Sequence, residues 1–245
     1  AVGCTAGCDS KAVLMEQTYP GIEDAKAHFN LLLKAFRDER YVKVEGKPYL
    51  FIFDPISLPQ EYVDCFKQMS VETGFPGIYL VANLSDNSIK KEDMLAKGYD
   101  AVCYCNILGH GKQNRNPFWH KVKKHLEGII LRRPTYVYDY RKHYKEFLGE
   151  IDKEEEVIPQ IVPQWDHSPR GGRKTNILIH STPEYFAKHV RMAMEAIKGK
   201  KEEHQIVMLK SWNEWAEGNY MEPDLTHGRG YIEALRQVLD EYKDL

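Results

Sequence analysis

Along the chain, short apolar runs alternate with longer stretches whose apolar residues recur every three or four positions. The second pattern predicts amphipathic helices, because a period near 3.6 stacks such positions on one face. Residues 22–40 carry Phe29, Leu32, Leu33 and Phe36 in that rhythm, and residues 61–73 carry Tyr62, Phe66 and Met69. A third helix starts at Ser181-Thr182-Pro183-Glu184, where a capping hydroxyl, an early Pro and a first-turn acid coincide. It runs to about Lys198 and buries Phe186, Val190, Met194 and Ile197. Further helices are predicted over 90–97, 118–131, 136–151 and 231–242, the last burying Leu235, Val238, Leu239 and Tyr242. Between them, apolar runs at 49–54, 77–83, 101–106, 157–162 and 206–209 read as strands, and residues 1–9 as the end of another. The run at 49–54 is too apolar to be exposed on either face. Strand and helix in alternation predict a parallel sheet with helical crossovers.

Several polar stretches carry no chemistry on this reading. The loop 108–117, LGHGKQNRNP, lacks the spacing of a phosphate-binding loop. His120 and His125 are five apart without a metal-binding helix pattern. Glu16 and Gln17 read as structural polar residues, and 152–156, DKEEE, as a solvated charge run closing the helix before it.

Two loops differ. The run Ile206–Leu209 empties into SWNEWAEGNYMEPD, which holds two Trp and the acids Glu214, Glu217, Glu222 and Asp224. A strand that passes from packing to presentation in this way is expected at the C-terminal end of a strand in an α/β barrel, where such enzymes place their active sites. Glu214 and Glu217 are three residues apart, so their carboxylates can converge, and crowding would push their pKa values apart as acid and base chemistry requires. The plainer reading is an acidic surface loop with two Trp edging the core. The second loop, Pro163–Arg170, follows the 157–162 strand. In it Trp165 offers a stacking face, Asp166 can hold hydroxyl groups, and Arg170 supplies a fork of donors. Here the plainer reading is a Trp plug beside a surface Asp–Arg pair.

Composition narrows the partners. The chain has 245 residues, 42% hydrophobic and 29% charged, enough to bury a sizeable core. A formal charge of −2 gives no electrostatic footprint for nucleic acid and points to a neutral or weakly charged ligand. Fifteen Tyr, nine Phe and four Trp suit sugar stacking and an ordinary core equally. Five Cys with no CxxC pair argue against a disulfide framework or zinc site, so neither metal nor cofactor is expected, and reduced thiols are the default. No run approaches a membrane span and no signal peptide is visible, so a cytoplasmic location is expected. The sequence starts at Ala1 without Met, which leaves room for a missing upstream segment. Nothing marks a domain boundary or repeat, and residues 1–245 are expected to form one domain.

SWNEWAEGNYMEPD resembles the terminal motif of the WbsX-like family of lipopolysaccharide and O-antigen clusters, often named as glycosyltransferases. RYVKVEGKPYLFIFDP, VPQWDHSPR (with His167 where Asn is usual) and GRGYIEAL resemble three further family segments. That family is similar in turn to the glycoside hydrolase family 99 endo-α-mannosidases, which are (β/α)8 barrels. The resemblance implies an α/β fold of the TIM-barrel kind. About six strand units can be counted, so the barrel is expected to lack its first two strands. It also implies an enzyme acting on glycosidic bonds of an oligo- or polysaccharide. In the family 99 hydrolases the matching Glu pair acts with retention and without a side-chain nucleophile. Carried over, Glu214 is the base that activates the sugar's 2-hydroxyl, Glu217 is the acid, and Asn213 and Trp215 position the sugar. A glycosyltransferase and a non-catalytic glycan-binding fragment are the alternatives.

Overall fold

The computed structural model describes residues 2–3, 13–85, 88–105, 136–172 and 175–243. The loop predicted at 108–117, the helix predicted at 118–131 with His120 and His125, and Cys4 and Cys8 lie outside these residues.

β1 (Val2–Gly3) pairs antiparallel with β2 (Val13–Met15), and α1 (Ile22–Phe36) follows. β3 (Lys43–Val44) turns back into β4 (Lys47–Ile52) through Glu45 and Gly46, both at positive φ as a two-residue hairpin turn demands. α2 (Gln60–Glu72), β5 (Tyr79–Leu84), α3 (Lys91–Ala96) and β6 (Ala101–Tyr104) continue the alternation. β4, β5 and β6 are parallel, with Phe51 opposite Val81 and Asn83 opposite Cys103. β7 (Tyr136–Asp139) leaves this series. The series resumes where Val157 bridges in parallel to Val102 and leads into β8 (Gln160–Ile161). β9 (Trp165–Asp166) and β10 (Asn176–Ile179) then join β7 in a small separate sheet. Finally β11 (Met208–Leu209) pairs in parallel with β8. Among the described residues the parallel strands therefore run in chain order, β4-β5-β6-β8-β11, as a curled half-barrel wall.

Side chains alternate across this wall. Outward, Leu80, Ala82, Leu84 and Val102 pack on Phe29, Phe36, Tyr62 and Phe66 of α1 and α2. Ile161 and Leu209 pack on the helices Pro183–Ile197 and Gly230–Glu241. Inward, Phe51, Val81, Ala101, Cys103, Ile158 and Met208 form a second apolar layer.

Four expectations are corrected. Residues 136–151 are not one helix. Tyr-Val-Tyr-Asp alternates as a strand does and pairs with β10, then Asp139 accepts from the Arg141 amide and starts the short helix Tyr140–His143. The run 152–156 is not freely solvated. Asp152 is buried and accepts from the Gly149 amide, Glu154 and Glu156 hold Lys91, and Glu155 reaches His204. In the final helix Leu239 is 43% exposed, because the buried stripe runs through Tyr231, Ala234 and Val238. Phe53, just past β4, is 81% exposed, since it projects beyond the strand's last neighbour.

His189 is fully buried on the Pro183–Ile197 helix beside Phe147 and Tyr140. The Tyr140 hydroxyl donates to the Val162 carbonyl at 2.7 Å, so its oxygen accepts from His189 Nδ1 at 3.1 Å. Burial lowers the His189 pKa to about 3. The unfolded chain takes up this proton near pH 6.5 and the folded chain does not, so the native state loses stability as pH falls from about 6.5 towards 3. Denaturant titrations should give a pH slope shallower by up to about 1.4 kcal/mol per unit in that window for His189→Leu than for the wild type.

Candidate functional site

Beyond the C-terminal ends of the adjacent strands β8 and β11, their exit loops meet. After β11, β12 (Asn213–Glu214) and β13 (Asn219–Tyr220) pair antiparallel around the single turn Trp215–Glu217. Ser211 Oγ accepts from the Glu214 amide at 3.1 Å and fixes the loop's entry. Gly218 closes the turn at φ 53°, and a Cβ there would stand 3.3 Å from both the amide nitrogen and Cβ of Asp166. Only glycine combines that conformation with so close an approach.

In the second loop Trp165 and Asp166 are held by pairing with Leu178 and Ile177 of β10. Asp166 Oδ1 accepts from the Ser168 amide at 2.9 Å and the Ser168 hydroxyl at 2.5 Å, which starts the turn Ser168–Gly171 that carries Arg170. Asp166 thus spends one oxygen on holding its own loop.

Glu217 joins the two loops. Trp165 Nε1 donates to its Oε2 at 3.2 Å, Arg170 Nη1 donates to its Oε1 at 3.0 Å, and His167 Nε2 lies 3.4 Å from Oε1. The same Arg170 nitrogen is 3.8 Å from Glu214 Oε1. Glu217 has 17% of its side chain exposed and Glu214 41%, so the pair comprises one sheltered and one open carboxylate about a shared cation. The repulsion expected from their spacing is met by that cation. Four predicted residues, Trp165, Arg170, Glu214 and Glu217, are therefore brought together. Asn213 and Trp215 lie on the outer side. Asn213 is exposed and paired with Tyr220 through the backbone, while the Trp215 ring stacks on Tyr220 at 3.7 Å and its N–H donates to Glu222.

A cleft of about 460 Å³ opens at the strand ends, a size ordinary for a small-molecule site. Its lining includes Phe53, Asn83, Cys105, Gln160, Trp165 and Lys210. Neither Glu214 nor Glu217 lines it; Trp165 connects the two, with its ring in the cleft wall and its N–H on Glu217. Lys210 Nζ lies 4.4 Å from the centre of that ring, so the predicted stacking face carries an ammonium group. Asn83, Cys105, Gln160 and Lys210 were not singled out from the sequence. Their signal was the period-two alternation, which puts a polar residue on the inward face just where an apolar run ends.

Cys103 and Cys105 sit two apart on the inner face with their sulfurs 3.8 Å apart. The hydrogen bond with Cys103 lowers the Cys105 thiol from its ordinary range, against the effect of burial and with help from the Lys210 charge and the Gln160 amide. The same bond, with burial, raises Cys103. Among the described residues no group of three or more His, Cys, Asp and Glu could hold a metal ion, and no helix is long and apolar enough to cross a membrane.

The model of the family described as Glycosyltransferase WbsX matches residues 5–235. The chain belongs to the WbsX family. Two curated relatives, each named "Uncharacterized protein WxcX" from strains of Xanthomonas campestris pv. campestris, are 23% identical to this WbsX chain over 236 residues. That alignment takes in 95% of the chain but 32% of the relatives, so the chain spans about a third of their length. Among solved structures, a "Glycoside hydrolase-like protein" superimposes with a TM-score of 0.57 at 17% identity, covering 91% of this chain and 62% of that one. The GH99 endo-alpha-mannosidase from Bacteroides thetaiotaomicron superimposes with a TM-score of 0.51 at 14% identity, covering 93% and 64%. At these identities the likeness is one of fold.

The environment of Cys105 has a measurable consequence. At neutral pH iodoacetamide should modify Cys105 much faster than the buried Cys103, with a rate that rises at lower pH than for an ordinary thiol. Lys210→Met should slow it, as peptide mapping of timed samples would record.

Proposed function

We propose that this WbsX chain acts on glycosidic bonds and that Glu214 and Glu217 are its catalytic pair. The observation that carries the reading is their convergence on Arg170, with Glu217 also fixed by the indole that walls the strand-end cleft. Two carboxylates on opposite sides of a scissile bond are what glycoside chemistry uses. In the proposed reaction Glu214, the more open acid, removes the proton of the sugar's 2-hydroxyl, and that oxygen attacks C1. Glu217 gives a proton to the departing glycosidic oxygen. Water then opens the intermediate with the roles reversed, so the configuration at C1 is retained. Trp165, Asp166, Arg170, Asn213 and Trp215 are proposed to position the sugar, with Arg170 and Trp165 acting through Glu217. The fold neighbour is named an endo-alpha-mannosidase, which makes α-mannosides the first substrates to try. Transfer rather than hydrolysis is the second reading, favoured by the family's description as a glycosyltransferase.

Glu217→Gln should slow poor leaving groups by roughly 10²-fold or more and spare an activated aryl glycoside, whose departure needs little protonation. Glu214→Gln should slow both, because the attack itself is lost. Assays of aryl and unactivated glycosides, run beside nucleotide-sugar donors, separate hydrolysis from transfer. If both variants keep full activity in every assay, the pair is an acidic loop and catalysis lies elsewhere in the chain; if the wild type binds glycans and turns over none of these substrates, the chain is a glycan-binding module.

A further inference from the structure

Two deeply set amides in the cleft are only half used within the described fold. Gln160 is 4% exposed and Asn83 8%, and both line the cleft. Each employs its amide nitrogen: Asn83 Nδ2 donates to the Phe53 carbonyl at 2.9 Å and Gln160 Nε2 to the Cys105 sulfur at 3.0 Å. Their oxygens, Asn83 Oδ1 and Gln160 Oε1, are buried without a hydrogen-bond partner among the described residues. Turning the Gln160 amide over does not remove the deficit, because one end still faces Cys105 and the other still lacks a partner. Buried amide oxygens are almost always satisfied, and a pair left open in one cleft calls for a functional explanation.

Their placement narrows what could satisfy them. Asn83 is on β5 and Gln160 on β8, the strands on either side of β6, so the two flank Cys105. Strands two apart in a sheet lie about 10 Å from each other at the backbone, so a single ligand that serves both oxygens reaches across β6. The lining holds no Asp or Glu and does hold the Lys210 ammonium, which disfavours a cation. Two carbonyl oxygens disfavour an anion between them. Beyond a separate water on each oxygen, the occupant that fits is a neutral molecule with hydroxyl donors on opposite edges and a span of a few ångströms.

We infer that Asn83 and Gln160 form a recognition floor for one neutral pyranose unit, accepting hydrogen bonds from hydroxyl groups on opposite edges of its ring. This rests on the carbohydrate reading above and adds the subsite and its selectivity. A site built on acceptors discriminates strongly against an analogue that lacks the matching hydroxyl, because the acceptor is then left unpaired. Catalysis plays no part in the inference, and binding alone tests it.

The test is calorimetric titration of the full chain with the methyl α-pyranosides of mannose, glucose and galactose, beside thermal melts. Asn83→Leu and Gln160→Met each replace an amide with a buried, unpartnered oxygen by an apolar group of similar size. Each should weaken binding roughly 10-fold or more while leaving Tm unchanged or raised. A purely structural amide predicts the reverse, a lower Tm and unaltered binding, and that result would overturn the floor. In the wild type a saturating glycoside should also protect Cys105 from iodoacetamide; binding without protection locates the sugar elsewhere and equally overturns it. If the wild type binds none of the three glycosides, the carbohydrate reading fails and this inference with it.

Discussion

A curled parallel sheet has a convex and a concave face, and each strand must satisfy both with a side-chain period of two. Every other residue is committed to the helices outside, as Leu80, Ala82 and Leu84 are to α1 and α2. The rest face inward, where Tyr79 and Val81 are apolar and Asn83 is not. The inner column can turn polar at its end without unsettling the outer packing, because neighbouring residues answer to different environments. The strand-end cleft depends on that separation. Polar groups there cost the helix–sheet interface nothing, so chemistry could be placed on the inner face independently of the core.

The same constraint explains what was legible in the sequence. The parallel strands at 47–52, 79–84, 101–104, 160–161 and 208–209 are legible as apolar runs, because the wall carries an apolar layer on each of its faces. The helices α1, α2 and Pro183–Ile197 were found through their stripes. The small sheet was not. Tyr136–Asp139 looks helical in sequence and Asn176–Ile179 gives no signal, since four residues are too few to separate one period from the other. In the site, Trp165, Arg170, Glu214 and Glu217 were legible because aromatic and acidic residues crowded into short loops have few packing explanations. Gln160 and Asn83 were not, because a single amide at the end of an apolar run looks like the strand's boundary. The lesson of the charge run 152–156 is similar: sequence displays charges but not the Lys91 and His204 that receive them.

Around Glu217 several local choices have to agree. Gly218 lets the backbone of one loop lie against Asp166 of the other, Asp166 starts the turn that holds Arg170, and Arg170 and Trp165 then bond one carboxylate. Strand pairing anchors both loops, since β8 and β11 are neighbours. The arrangement is preorganised: Glu217 is oriented before any ligand arrives, and the cost of orienting it was met in folding rather than on binding.

The ammonium of Lys210 over Trp165 gives the cleft a resident occupant. A side chain tethered a few ångströms from the ring acts as an intramolecular competitor, present at a high effective concentration that no dilution lowers. Any molecule that stacks on the indole does so only in the fraction of chains where Lys210 has swung aside, and its apparent affinity is reduced by that fraction. While the ammonium is in place, that face of the ring is covered against water and casual apolar contact. Displaced from the indole, the ammonium is a mobile cation at the rim, free to meet the polar groups of whatever displaced it. The lysine is thus at once a guard on the aromatic face and a donor held in reserve for the ligand that gets past it.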